Sequence, residues 1–238
     1  MDKISKRNIV FLHLFPGVLI LGIYLLITPF IHSMGYPSLM SLMIAFLMVI
    51  LPAELGYLIW KAKKSTVDKP FLQRILVNKP VEKKKFLGII SIGVIAIFII
   101  AGGMSLMDES IKTQVFGWLP DWYFYDSEFF NGYSRQALVI TAVFRIGIDG
   151  LLIPFTEEWY FRGYLLPRMQ GKGVAVPVLA SLLFALYHFW QPWNYLTLIL
   201  ISAILVFPAW YFKNYKISLY IHLIINLTGA ILFLLMVL

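Results

Sequence analysis

The sequence predicts an all-α fold, a polytopic transmembrane helical bundle with about seven spans. Of its 238 residues, 60% are hydrophobic and only 13% are charged, and the mean hydropathy is +0.81. Soluble domains carry about 25% charged residues, so this composition excludes the soluble globular class. Apolar runs close to the roughly 20 residues that span a hydrocarbon core recur along the chain.

Seven such runs carry the prediction. They cover residues 9–31, 38–60, 86–107, 136–166, 174–190, 195–212 and 217–238. The first run is too long for the apolar part of a signal peptide, and no small-residue cleavage site follows it. We therefore expect a retained first helix.

Charge is distributed unevenly between the loops. Residues 61–85 carry nine Lys or Arg against two acids, whereas residues 108–135 carry five acids against two bases. By the positive-inside rule the first loop is cytoplasmic and the second faces outward, which places the N-terminus inside and the C-terminus outside. The net charge of +8 follows from this topology, so we expect no nucleic-acid partner.

The chain has no cysteine. This absence excludes a disulfide framework, a cysteine zinc site and a thiol nucleophile. The lysine-rich, cysteine-free composition and the small size favour a bacterial cell membrane as the location.

The sequence divides near residue 135. Residues 1–135 are predicted as N-terminal transmembrane helices and loops with little polar chemistry, apart from Glu54. Within them, the aromatic and acidic segment 117–133 is predicted as an interfacial belt, with a substrate lid as the alternative. Residues 136–238 are predicted as the catalytic core, because each of their spans carries polar residues that need partners in hydrocarbon.

The fourth run is predicted as a broken helix. Arg145 and Asp149 are four residues apart and can pair on one face, while Pro154 suits the first turn of a new helix. A broken helix that lines a polar cavity fits these residues better than a straight lipid-facing helix.

Two adjacent glutamates follow this proline. On a helix Glu157 and Glu158 point about 100° apart, so we expect them to have different roles. Glu158 lies four residues before Arg162 and is placed to pair with it, although the long arginine side chain can also reach Glu157. Either way, one carboxylate is held by arginine and the other is left available.

Two later helices supply matching polar groups. Phe184 and His188 are four residues apart near the end of the fifth run, and His222 and Asn226 are four apart near the start of the last run. A lone His or Asn in a membrane helix is more often a helix–helix hydrogen bond than a catalyst. Here two carboxylates, two histidines, an arginine and an asparagine occur in three segments, and this set favours hydrolysis by a glutamate-activated water.

Three motifs carry a family resemblance. In chain order they are EExxxR (Glu157, Glu158, Arg162), FxxxH (Phe184, His188) and HxxxN (His222, Asn226). They resemble the CPBP family, which includes type II CAAX prenyl endopeptidases and bacteriocin-processing or self-immunity proteins and is also called the Abi group. The resemblance covers about residues 136–235 and implies a helical intramembrane endopeptidase.

The resemblance also implies roles for the motif residues. Glu157 acts with His188 to activate water, and His222 and Asn226 complete the site and steady the oxyanion. The second glutamate and the arginine of the first motif shape the site, and Phe184 is a candidate substrate contact.

The cofactor and the substrate remain open. If a divalent metal such as zinc takes part, its candidate ligands are Glu157, His188 and His222; otherwise no cofactor is expected. The expected partners are membrane lipid and a membrane-associated or lipidated peptide or protein. Prenyl-protein processing and maturation of a bacteriocin or pheromone are both candidates, and the composition favours the second.

Two full-length spans would separate the histidines, with His188 near the outer face and His222 near the inner face. We therefore expect a tilted, short or broken fifth helix, or a deeper placement of the loop 167–173. Two other function classes stay open: a noncatalytic immunity or peptide-binding protein of the same fold, and an ion-coupled or proton-coupled transporter.

Overall fold

The computed structural model describes residues 2–125 and 132–238, and these residues form an all-α bundle. Six helices in this part of the chain are long and apolar enough to cross a membrane, and a further apolar helix is shorter. In chain order the seven helices, named α1 to α7, are Lys6–Ser33, Ser38–Lys63, Lys83–Val115, Arg135–Arg168, Ala175–Tyr187, Pro192–Phe212 and Tyr215–Val237. The chain is an integral multi-pass membrane protein, as predicted. Residues 126–131 of the predicted aromatic belt lie outside the described residues.

Side-chain caps begin two of the helices that build the site. Ser134 precedes α4, and its hydroxyl accepts a hydrogen bond from the amide of Ala137 at 3.2 Å. Asn214 precedes α7 and accepts from the amide of Lys216 at 2.9 Å. Lys213, with a φ of 50°, ends α6 in the left-handed region. The turn between α6 and α7 consists of Lys213 and Asn214, and the two helices pack side by side.

Helix α4 is continuous over Arg135–Arg168, so the break predicted in the fourth run is absent; its hydrogen-bond pattern changes instead. It is π-helical at Ile148–Leu152 and at Glu158–Leu165, with a short α-helical piece, Ile153–Glu157, between them. Pro154 is the second residue of that piece and follows the first π segment directly. A third π segment, Ile50–Gly56 in α2, was not predicted. It packs against the short α-helical piece of α4, and π segments of this kind are frequent at functional sites.

Helix α5 is the short one. Its 13 residues reach about 20 Å at 1.5 Å per residue, less than the roughly 30 Å of a hydrocarbon core. His188 follows directly after the last residue of α5. The short fifth helix is one of the arrangements expected to bring the two histidines together.

Helices α1 and α5 approach each other closely at Gly17. A Cβ added at Gly17 would overlap the backbone carbonyl of Tyr187, whereas Gly22 on the same helix has open space around it. The ring of Tyr187 packs edge-on against Phe161 of α4, with centroids 5.2 Å apart. Gly17 therefore lets α1 support the end of α5 on which the site is built.

Candidate active site

Most of the sequence-predicted site residues meet around one cavity of about 330 Å³. Its wall includes the residues of interest from α4, α5 and α7: Glu157, Phe184, His188, His222 and Asn226. His188 and His222 therefore converge, which two full-length spans would prevent. They can do so because α5 is short. Helix α2 supplies an apolar part of the wall, with Leu39, Leu42, Met43 and Phe46.

The two glutamates have different surroundings, as their adjacency predicted. Glu158 is fully buried and accepts hydrogen bonds from the hydroxyl of Ser218 at 2.6 Å and from Nδ1 of His222 at 3.0 Å. The guanidinium of Arg162 lies 3.2 Å from Oε1 of Glu158. Arginine thus holds the second glutamate, and Glu157 is the one of the two glutamates that lines the cavity.

Arg162 is held by charge and by an aromatic face. Its guanidinium carbon lies 3.7 Å from the centroid of the Phe184 ring, a favourable cation–π distance. None of its side-chain nitrogens reaches hydrogen-bond geometry with a described group, although one is within ion-pair distance of Glu158. Phe184 therefore supports Arg162 in addition to lining the cavity.

His188 has a defined tautomer. Its Nδ1 lies 2.8 Å from the backbone carbonyl of Phe184, and a carbonyl oxygen can only accept, so Nδ1 carries the hydrogen. In the neutral ring Nε2 then has a free lone pair, which can accept a hydrogen bond from water or substrate. Rings of Phe184, Tyr187 and Trp190 surround the imidazole at centroid distances of 5.0, 5.1 and 5.0 Å.

Asn226 is hydrogen-bonded to the first π segment of α4. Its amide nitrogen donates to the backbone carbonyl of Asp149 at 3.0 Å and to Oδ1 of the same residue at 3.1 Å. Asp149 in turn pairs with Arg145 at 3.2 Å, which is the pair predicted from their spacing. All three side chains line the cavity, and the Asn226 amide ties α7 to α4.

Glu54 belongs to this cluster, and the sequence did not connect it to the motifs. It is fully buried in the π segment of α2, and its Oε1 accepts from the hydroxyl of Tyr187 at 3.1 Å. Glu54 is also close enough to Glu157 for the two carboxyl groups to interact, and Tyr187 contacts both. The signal that could have identified Glu54 is the rarity of a carboxylate inside an apolar span.

The expected metal ligands do not form a metal cage as they stand. Among the described residues, no three His, Asp or Glu side chains are grouped so that they could hold a metal ion. His222 directs Nδ1 to Glu158, and Glu157 contacts Tyr187. The zinc expectation stays a prediction.

Residues 139–228 match the family model described as type II CAAX prenyl endopeptidase Rce1-like. The match contains all three motifs and confirms the resemblance that they predicted. A curated relative, the UPF0177 protein YxdF of Lactococcus lactis subsp. lactis, is 32% identical over 83 residues, which cover 35% of this chain and 46% of the relative. The chain thus spans about half the length of the curated relative that it matches. No solved structure gives a significant match.

Proposed function

We propose that this chain is an intramembrane endopeptidase that hydrolyses a peptide bond in a membrane-associated or lipidated protein or pro-peptide. The observation that carries the proposal is the gathering of Glu157, His188 and His222 around one cavity inside a membrane bundle. The family match over residues 139–228 supports the same class of reaction.

Glu157 is the proposed general base. Its carboxylate takes one proton from a water molecule while the water oxygen attacks the carbonyl carbon of the scissile bond. Nε2 of His188 accepts a hydrogen bond from the second O–H of the water, which stays intact, and so orients the nucleophile. Glu157 then passes its proton to the leaving nitrogen as the carbon–nitrogen bond breaks, which yields a carboxylic acid and an amine.

Glu158 and Arg162 are proposed as positioning residues. The carboxylate of Glu158 fixes the ring of His222 through Nδ1, while Arg162 keeps that carboxylate ionised in a buried place. The developing oxyanion is proposed to face the wall formed by His222 and Asn226. Asn226 donates to Asp149, and Asp149 pairs with Arg145. Asn226 therefore also helps to hold the positive charge of Arg145 at the cavity.

The apolar wall from α2 indicates the substrate class. Four hydrophobic side chains of α2, Leu39, Leu42, Met43 and Phe46, line the cavity, and no charged side chain of α2 does. Such a wall suits an apolar peptide segment or a lipid group better than a polar loop. A prenylated protein and a secreted pro-peptide both fit this description, and the small, lysine-rich composition favours the pro-peptide.

The test compares purified wild type with Glu157→Gln on a library of membrane peptides in ¹⁸O-labelled water, read by mass spectrometry. The control is Glu109→Gln, an exposed glutamate that pairs with Lys112 on α3. We expect cleavage with one ¹⁸O atom in the new carboxyl terminus, and a loss on the order of 100-fold or more in Glu157→Gln alone.

Parallel samples with and without chelator address the metal. Equal cleavage by wild type and Glu157→Gln contradicts the proposal. If native membrane extract yields no cleavage by any variant while the protein retains a bound peptide, the noncatalytic peptide-binding function replaces it.

A further inference from the structure

A second cavity, separate from the proposed active site, lies where α1 and α2 meet the basic loop. Its volume is about 800 Å³, and it is open on one side. Segments far apart in the sequence build it: the residues before and at the start of α1, the end of α2, the loop after α2, and the last turn of α4. This end of the bundle carries the basic loop that the positive-inside rule places in the cytoplasm.

The cavity wall is strongly basic. Within the described residues it holds a single acid, Asp2, and five basic side chains, namely Lys3, Lys61, Lys64, Arg74 and Arg168. A positive cavity of this kind at the membrane surface attracts anionic groups.

Few of these positive charges are neutralised by the protein. Lys3 and Arg168 donate to backbone carbonyls, with distances of 2.8 to 3.2 Å. Lys61 and Lys64 lie over the ring of Trp60 at 4.5 and 4.1 Å from its centroid. Carbonyls and aromatic faces orient cations without cancelling their charge, so the cavity keeps an excess of positive charge for a bound anion.

An apolar surface leads from the cavity along α1. Phe11 lines the cavity and stacks on Phe15, one helical turn further, with centroids 4.8 Å apart. Both rings face outward, with exposed fractions of 56% and 40%. Because α1 runs from this end into the apolar run, the surface continues towards the hydrocarbon.

We propose that this cavity binds the phosphate-bearing headgroup of an anionic membrane lipid, with an acyl chain of the lipid lying along Phe11 and Phe15. The basic wall recognises the phosphate, and the adjoining apolar surface distinguishes a lipid from free phosphate. The occupant is therefore an anionic lipid rather than a soluble phosphate compound.

The test is native mass spectrometry of the full chain in neutral detergent, titrated with phosphatidylglycerol or with phosphatidylcholine of the same acyl chains. The cavity variant is Lys61→Gln/Lys64→Gln/Arg74→Gln. The control variant, Lys63→Gln/Lys83→Gln/Lys84→Gln, removes three charges from exposed positions of the same face outside the cavity. Size-exclusion chromatography establishes that both variants are monodisperse.

We expect one tightly bound phosphatidylglycerol and weaker phosphatidylcholine binding. The cavity variant should lose affinity for phosphatidylglycerol on the order of 100-fold, about fivefold for each basic residue, and the control variant should keep it. Equal loss in both variants, or no loss in the cavity variant, overturns the site. Displacement of the lipid by an equal concentration of inorganic phosphate or glycerol phosphate overturns the lipid as its occupant.

Discussion

Substituting Glu158 with glutamine removes the charge that holds Arg162 inside the bundle. Arg162 is 3% exposed, and its nitrogens lack hydrogen-bond partners among the described residues. Breaking a buried ion pair costs about 3–5 kcal/mol, because the remaining charge is left uncompensated. Since Glu157 and Glu54 also act on Arg162 electrostatically, we expect the lower end of that range, about 3 kcal/mol of unfolding free energy.

The double variant separates the charge from the hydrogen bonds. In Glu158→Gln one carboxylate oxygen becomes an amide group, so the side chain can accept from only one of the two donors, Ser218 or His222. The part of the loss that Arg162→Met recovers therefore reports on the buried charge of Arg162. Unfolding free energies are measured in the same mixed micelles for wild type, Glu158→Gln and the exposed control Glu82→Gln, which should change by no more than about 1 kcal/mol. Glu158→Gln/Arg162→Met should be more stable than Glu158→Gln alone. A loss below about 1 kcal/mol in Glu158→Gln, or no recovery in the double variant, would refute this reasoning.

Three further predictions follow from the contacts around the site. Gly17→Ala should lower both stability and activity, because its methyl group meets the backbone of Tyr187, whereas Gly22→Ala should leave both intact; equal melting temperatures would count against the close approach of α1 and α5. Tyr187→Phe deprives buried Glu54 of its donor and should cost about 1–3 kcal/mol in unfolding free energy, and Glu54→Leu in that background should recover part of it; an unchanged unfolding curve contradicts the contact. Asn226→Ala should lower kcat more than it raises KM in peptide cleavage, because it removes a side chain that is proposed to face the oxyanion of the transition state; a change in KM alone would assign it to substrate binding.

The sequence predicted the fold class because its signals are local. Apolar runs locate the spans, and the composition excludes a soluble domain. The Arg145–Asp149 and Glu158–Arg162 pairs were also predictable, since residues four apart meet on one helix face whatever the tertiary structure is.

The contacts that the sequence did not predict depend on packing between segments far apart in the chain. Glu54 is about 100 positions away from Glu157 in the chain, and only the packing of the α2 π segment against α4 brings them together. Nothing local to Asn226 indicates that its amide donates to Asp149, because that contact joins two helices. The π segment of α2 was likewise unpredictable, since Pro52 alone indicates a break but not its form.

The measurement that tests the central claim most directly is the cleavage rate of Glu157→Gln, His188→Ala and the double variant on one identified peptide. If the two residues act together on one water molecule, each single variant should lose nearly all activity, and the double variant should be no slower than the slower single variant. The unfolding curves of all three should show that the fold is kept. Losses that multiply in the double variant, or normal turnover by either single variant, would contradict the shared site.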